Sequence, residues 1–305
     1  MDERVTKKEN DLLEETLSVA GTGYAAAYRF LLSAYEQRPE AYGPQTLYFL
    51  ACLAGGCGRP EQALAWLKTA VEENGWWYRP EVLEDDDLVA LRDNAGFLSL
   101  KAVSAGRYAA AAARAKAVFS WQKKTAPRLF VAVHGNTQNG QAARADWEPV
   151  TGDGTVWQLE TVQSAQPDGY GTFRWRYDMS SFWPVAEALE RVRDEGYDTV
   201  VCGGFSAGCG MLLRAIAFSP ARCDRLILQS PWVPLTETHS RALTDAVRRK
   251  NVKLTVACGA LDEDCLPMAR GLYETLRREG LSAELMIQEG TRHQFPADPA
   301  VLRVF

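Results

Sequence analysis

Ser206 sits at the centre of Gly204-Phe205-Ser206-Ala207-Gly208, between the apolar run Thr199–Cys202 and the helical stretch Cys209–Phe218. G-x-S-x-G between a strand and a helix is a nucleophile elbow. A serine on so tight a turn needs neighbours without side chains two residues away on either side. The helix that follows aims its positive end at any negative charge developing beside the serine. The chemistry implied is attack of a hydroxyl on an electrophilic carbon.

Such a hydroxyl needs a base, and the chain holds three histidines, His134, His239 and His293. His293 lies in Glu289-Gly290-Thr291-Arg292-His293-Gln294-Phe295-Pro296, a Gly-containing loop after the last apolar run. From there an imidazole can take the serine's proton and return it to a leaving group. His239 lies in a polar stretch with no strand end beside it, and His134 comes too early in the chain. A carboxylate to orient the imidazole is expected in Cys258-Gly259-Ala260-Leu261-Asp262-Glu263-Asp264-Cys265-Leu266-Pro267. Asp262, three residues after the glycine that ends the strand, is the first candidate, and Asp264 is the substitute. A fourth segment, His134-Gly135-Asn136-Thr137-Gln138-Asn139-Gly140, offers backbone N–H groups for an oxyanion. Its expected donor is Asn136, with the N–H of Ala207 as the second.

These segments follow short apolar runs. Leu129–His134, Val156–Thr161, Thr199–Cys202, Arg225–Leu228, Lys253–Cys258 and Ala283–Gln288 read as buried strands. Phe182–Glu195 and Leu266–Arg278 show helical spacing between them. The alternation predicts an α/β fold, a mostly parallel sheet flanked by helices on both faces. Chemistry in such a sheet sits beyond the C-terminal strand ends. Trp147, Tyr170, Phe173, Trp175 and Trp232 fall in connections opening on that edge and are expected to wall a substrate pocket.

Before residue 120 the pattern is all helix. Residues 46–56 and 61–73 form a hairpin around Gly58 and Pro60, and 101–120 read as one more helix. The hairpin resembles the tetratricopeptide repeat, with Ala51, Gly58, Ala63, Leu67 and Ala70 at matching positions. Ala27, Leu31, Ala34 and Pro39 repeat its second half about 36 residues earlier, near the 34-residue period of such repeats. The expected division is an all-α helical-repeat domain over 1–120, a linker over 121–127 and a catalytic domain over 128–305. The helical domain is expected to dock on a protein partner or to self-associate.

The 305 residues carry a net charge of -5 without a basic block, which argues against a nucleic-acid partner. No apolar run reaches the ~20 residues of a membrane span, and the charged N-terminus lacks a secretory signal's apolar stretch. Seven cysteines without a CxxC pair point to reduced thiols in the cytoplasm and to no metal, zinc included. Cys202 and Cys209, flanking the elbow, are expected to pack in the core.

Residues 128–305 resemble the α/β-hydrolases of the carboxylesterase/phospholipase and dienelactone-hydrolase-like branch. The pieces that carry the resemblance are His134-Gly135-Asn136, the Ser206 elbow, Gly259 to Asp264, and Gly290 to Pro296, in the order serine, acid, histidine. The resemblance implies hydrolysis of a small-molecule ester through an acyl-enzyme, without a cofactor. It implies Ser206 as nucleophile, Asp262 as acid and His293 as base. A peptidase or amidase of the same fold, or an interaction protein on a hydrolase scaffold, is the alternative. Ala207 and the pair Gly208-Cys209 depart from the branch, in which glutamine often follows the serine. The domain starts at its first central strand, so the two edge strands of larger hydrolases are not expected here.

Overall fold

The computed structural model describes residues 3–234 and 237–302, without the side chains of 3–8 and 237–239. His239 therefore lies on a described backbone, with its side chain outside the described residues. The chain divides into two compact units, one of residues 1–115 with 167–172 and one of 116–166 with 173–305.

The first unit is helical. Its helices are α1 (Glu3–Ala20), α2 (Tyr24–Gln37), α3 (Pro44–Gly56), α4 (Pro60–Lys68) and α5 (Ala95–Ala112). Pro44 and Pro60 open their helices, where a missing N–H costs nothing. The turn between α3 and α4 passes through Gly58 at φ +70, a left-handed conformation that suits glycine. Ala51, Ala63, Leu67 and Ala70 are fully buried there, as are Ala27 and Leu31 of α2. Small residues at these positions let the helices approach closely. α5 stops at Ala112 rather than running to residue 120.

Residues beyond that stop belong to the sheet. β1 (Val118–Phe119) pairs antiparallel with β3 (Trp157–Gln163) at the sheet's edge, and Trp121 is buried in the core of the second unit. The expected helix over 101–120 and linker over 121–127 are thus both corrected. Alanine favours continuation of a helix, but a β-branched and an aromatic residue beside an open strand edge gain more by pairing. An edge strand is also present where none was expected.

The sheet is completed by β2 (Arg128–Val133), β6 (Thr199–Phe205), β7 (Arg225–Gln229), β8 (Lys253–Gly259) and β9 (Ala283–Gln288), in the order β1-β3-β2-β6-β7-β8-β9. Every pairing from β3 to β9 is parallel. A short two-stranded ribbon, β4 (Pro167–Gly169) with β5 (Thr172–Phe173), lies outside it. Both faces of the sheet's centre are covered, so β2, β6, β7 and β8 are apolar almost throughout. Leu129, Val131 and Val133 pack with α7 (Trp183–Val192), α8 (Ala207–Phe218), α9 (Glu237–Lys250) and α10 (Cys265–Arg278). Phe130 and Ala132, pointing the other way, pack with α6 (Gly140–Thr151) and Phe295. No helix among the described residues is long and apolar enough to cross a membrane.

Candidate active site

β6 leads straight into α8 through a single residue, Ser206, at φ 49 and ψ -121. A non-glycine residue with that φ is strained, and the neighbours hold it. Its N–H donates to the Gln229 carbonyl at 3.0 Å, and its own carbonyl accepts from Trp232 N–H at 3.1 Å. The glycines of the elbow are required by space. A Cβ on Gly208 would stand 2.4 Å from the His134 carbonyl oxygen, and one on Gly204 would stand 2.9 Å from the Cys209 nitrogen.

The loop after β2 passes against the same serine. A Cβ on Gly135 would lie 3.2 Å from Ser206 Cβ. Gln138 Oε1 takes the Gly135 N–H at 2.8 Å, and Asn136 Oδ1 accepts from Trp175 N–H at 2.8 Å. The side chain of Asn136 thus anchors the loop rather than facing a substrate. Ala207 is the first residue of α8, so its N–H has no acceptor within the helix.

Asp262 and His293 come from the loops that follow β8 and β9. His293 Nδ1 stands 2.9 Å from Asp262 Oδ2, with the carboxylate buried and the imidazole side chain about one-third exposed. A carboxylate only accepts, so Nδ1 donates this hydrogen bond, and in the neutral form of the ring the lone pair falls on Nε2. Asp262 Oδ1 accepts from Cys265 N–H at 3.0 Å. Burial pushes this carboxyl up, but the His293, Cys265 and Ser230 hydrogen bonds outweigh it and leave it below its usual value. Asp264 is exposed and caps α10 without a side-chain hydrogen bond, so of the two carboxylates Asp262 is the one that meets the histidine. The His293 ring centroid lies 5.0 Å from that of Phe205, the residue before the serine.

Gln229 and Gln288 tie these loops together, and neither stood out in the sequence. Gln229 Nε2 donates to Gln288 Oε1 at 2.9 Å and to the Gln294 carbonyl at 3.0 Å, and Gln288 Nε2 returns a bond at 2.8 Å. The Gln229 carbonyl also holds Ser206. A polar residue ending each of two apolar strands, β7 and β9, on either side of β8, was the available signal. Leu261 N–H to the Thr291 carbonyl, at 2.9 Å, joins the acid loop to the histidine loop directly.

The aromatic residues separate. Trp147 is fully buried against Phe130 and Phe295, so it is a core residue and no pocket wall. Its place on the inner face of α6, with Ala143 and Val150, dictates this. Trp175 is buried over His134 and donates its indole N–H to the His134 carbonyl at 2.8 Å, bracing the loop. Tyr170 belongs to the helical unit, its ring against Trp76 and Trp77. Phe173 is half-buried, and its N–H donates to the Gln138 carbonyl at 2.7 Å. Trp232 is exposed beside Ser206. His134 is a neutral core histidine, pushed down to about 4 by burial, with Nε2 accepting from Ser164 N–H. Cys202 and Cys209 are buried.

Residues 8–112 match the family described as A/B hydrolase-like, N-terminal domain. A crystal structure of a Bacillus cereus protein is 27% identical, with a TM-score of 0.53 over 96% of this chain and 95% of that one. Esterase PE8 is 17% identical, covering 61% of this chain and 94% of its own at a TM-score of 0.47. A carboxylesterase from Mesorhizobium loti is 20% identical, covering 59% and 88% at 0.46. A search of curated proteins found no match. The chain thus joins a mostly parallel sheet flanked by helices to a helical N-terminal region that matches this family model.

Proposed function

We propose that this α/β-hydrolase-fold chain is a serine hydrolase that cleaves carboxylic esters through an acyl-enzyme. The observation that carries the reading is the 2.9 Å hydrogen bond between His293 and buried Asp262, beside the sheet edge where Ser206 is held at a strained φ. Asp262 fixes the tautomer in which Nε2 is the base. Nε2 takes the Ser206 proton as Oγ attacks the ester carbonyl, and the N–H groups of Ala207 and Asn136 receive the oxyanion. The imidazolium then protonates the departing alkoxide. Water repeats the cycle on the acyl-serine and frees the acid. No step calls for a cofactor.

The intact acid–base pair favours an enzyme over a bare interaction scaffold. Exposed Trp232, whose backbone N–H bonds to the Ser206 carbonyl, would offer its ring to an acyl or alcohol group. All seven cysteines are free, which supports a reducing compartment such as the cytoplasm. The helical domain would supply a surface for a protein partner or a second copy.

A fluorophosphonate probe is expected to label the protein, and Ser206→Ala to abolish labelling. Labelling that survives the substitution would overturn the assignment of the nucleophile. A matched panel of esters and anilides is expected to show turnover of the esters, and preference for the anilides would make the enzyme an amidase.

A further inference from the structure

The acid–base pair has a third partner that the hydrolytic cycle does not use. Cys265 Sγ lies 3.5 Å from His293 Nδ1, on the nitrogen already hydrogen-bonded to Asp262. Ligand atoms of Asp262, Cys265 and His293 all fall within 4.8 Å of one another. A second thiol, Cys258 Sγ, lies 3.7 Å from Asp262 Oδ2. Zinc bonds to sulfur at about 2.3 Å and to nitrogen and oxygen at about 2.0–2.2 Å. Tetrahedral angles then place sulfur and nitrogen about 3.5 Å apart and nitrogen and oxygen about 3.3 Å apart. The distances already present, 3.5 Å and 2.9 Å, come within a few tenths of an ångström of that frame.

We infer that Asp262, Cys265 and His293 Nδ1 form an inhibitory site for a zinc-like divalent cation, which switches the hydrolase off by displacing the hydrogen bond between acid and base. The charge balance suits a buried place: one carboxylate and one thiolate cancel the ion's two charges. The thiol gives its proton to solvent. The imidazole stays neutral, but with Nδ1 on the metal its single proton moves to Nε2. That nitrogen then has no lone pair for the serine hydroxyl. Partly exposed His293 provides the way in, and water would complete the coordination. Sulfur, nitrogen and carboxylate oxygen together suit zinc or cobalt and not magnesium or calcium. No sequence spacing announces the set, because its members converge from two loops 28 residues apart.

The inhibition rests on the hydrolase reading, but binding does not, so both are measured on the full chain. Co2+ added to metal-free protein is expected to give a thiolate-to-cobalt charge-transfer band, with release of a single proton per ion. Cys265→Ser should remove the band, while Cys52→Ser, in the separate Cys52, Asp85 and Asp87 cluster, should leave it. Zn2+ should inhibit ester turnover reversibly with EDTA. In Cys265→Ser the midpoint should rise about tenfold or more relative to that variant's own metal-free rate. A wild-type protein with no cobalt band, or a band and proton release unchanged in Cys265→Ser, overturns the site. Cobalt binding without zinc inhibition overturns the switch alone. Should Cys265→Ser not fold, Cys265→Ala takes its place and is read by the same outcomes. If no ester is turned over, the cobalt measurements decide the site by themselves.

Discussion

Asp262→Asn separates orientation from mere proximity, because the backbone dictates how the new amide must lie. Cys265 N–H points at one carboxylate oxygen and His293 Nδ1 at the other. The amide oxygen of asparagine therefore turns to the fixed Cys265 donor, and its NH2 turns to the imidazole. Nδ1 must then accept, so the ring's proton moves to Nε2 and the base is lost. The opposite orientation sets a buried NH2 against the Cys265 N–H. Leaving such a donor unsatisfied costs about 1–3 kcal/mol, which holds the useful orientation to roughly 1–15%. Even there, a neutral amide supports the imidazolium less well than a carboxylate. A hydrogen bond to a charged group is worth about 1.5–3 kcal/mol against about 1 for a neutral one, so roughly another factor of ten is lost. The product is a fall of about 10²-fold at the least, and up to the ~10⁴-fold known for a wrong tautomer in a serine triad.

The assay is kcat and KM on an activated ester, with circular dichroism to show an unchanged fold. The loss should fall on kcat, since Asp262 is buried beneath the histidine. Asp264→Asn is the control and should stay within about twofold, because that side chain is exposed and makes no capping bond. A kcat for Asp262→Asn within about tenfold of wild type would refute the tautomer argument.

Gly208→Ala should damage stability and activity together. Its Cβ would meet two backbone carbonyls at 2.4 and 2.6 Å, at the root of the Asn136 loop, and neither can yield as a side chain could. Overpacking of this kind costs about 1–3 kcal/mol, or roughly 2–4 °C of Tm for each; an unchanged melting curve with full activity would contradict it. Glu9→Gln should flatten the pH dependence of stability. Burial raises the Glu9 carboxyl above its usual 4.5 although its Oε1 accepts from Gly43 N–H, Thr46 N–H and the Thr46 hydroxyl. A raised carboxyl stabilises the fold below its unfolded value, and that contribution is lost as pH rises through the folded value. The amide oxygen of glutamine can accept the same three bonds without ionising. Urea unfolding should show the variant gaining on wild type from acid toward neutral pH, and a gap independent of pH would rule this out.

The elbow was legible because its physics is local: two glycines and a serine between a strand and a helix admit few conformations. The alternation of apolar runs with helical spacing gave the parallel sheet for a similar reason, since strands covered on both faces carry few polar residues. Asp262 ranked ahead of Asp264 on spacing alone, because either can follow a strand-ending glycine. The choice is made by a turn in which Asp262 N–H returns to the Gly259 carbonyl, leaving Asp264 outside. Trp147 was misread although its signal was present: Ala143, Trp147 and Val150 share a helical face, and such a face turns toward the sheet.

What no single segment could disclose is how the loops of the candidate site reach one level. Serine, acid and histidine follow three different strands, β6, β8 and β9, and each strand's register is set by its own buried face. Gln229 reconciles them. It ends β7, the strand between β6 and β8, holds Ser206 with its carbonyl, and holds Gln288 and Gln294 with its amide. One fully buried residue, through its backbone carbonyl and its side-chain amide, thus fixes the height of Ser206 against that of the histidine loop. A polar group can occupy that depth only because every bond it needs is supplied there. Side-chain types along the chain point to the proposed chemistry, while the alignment it would need depends on a pair of glutamines outside the proposed reacting set.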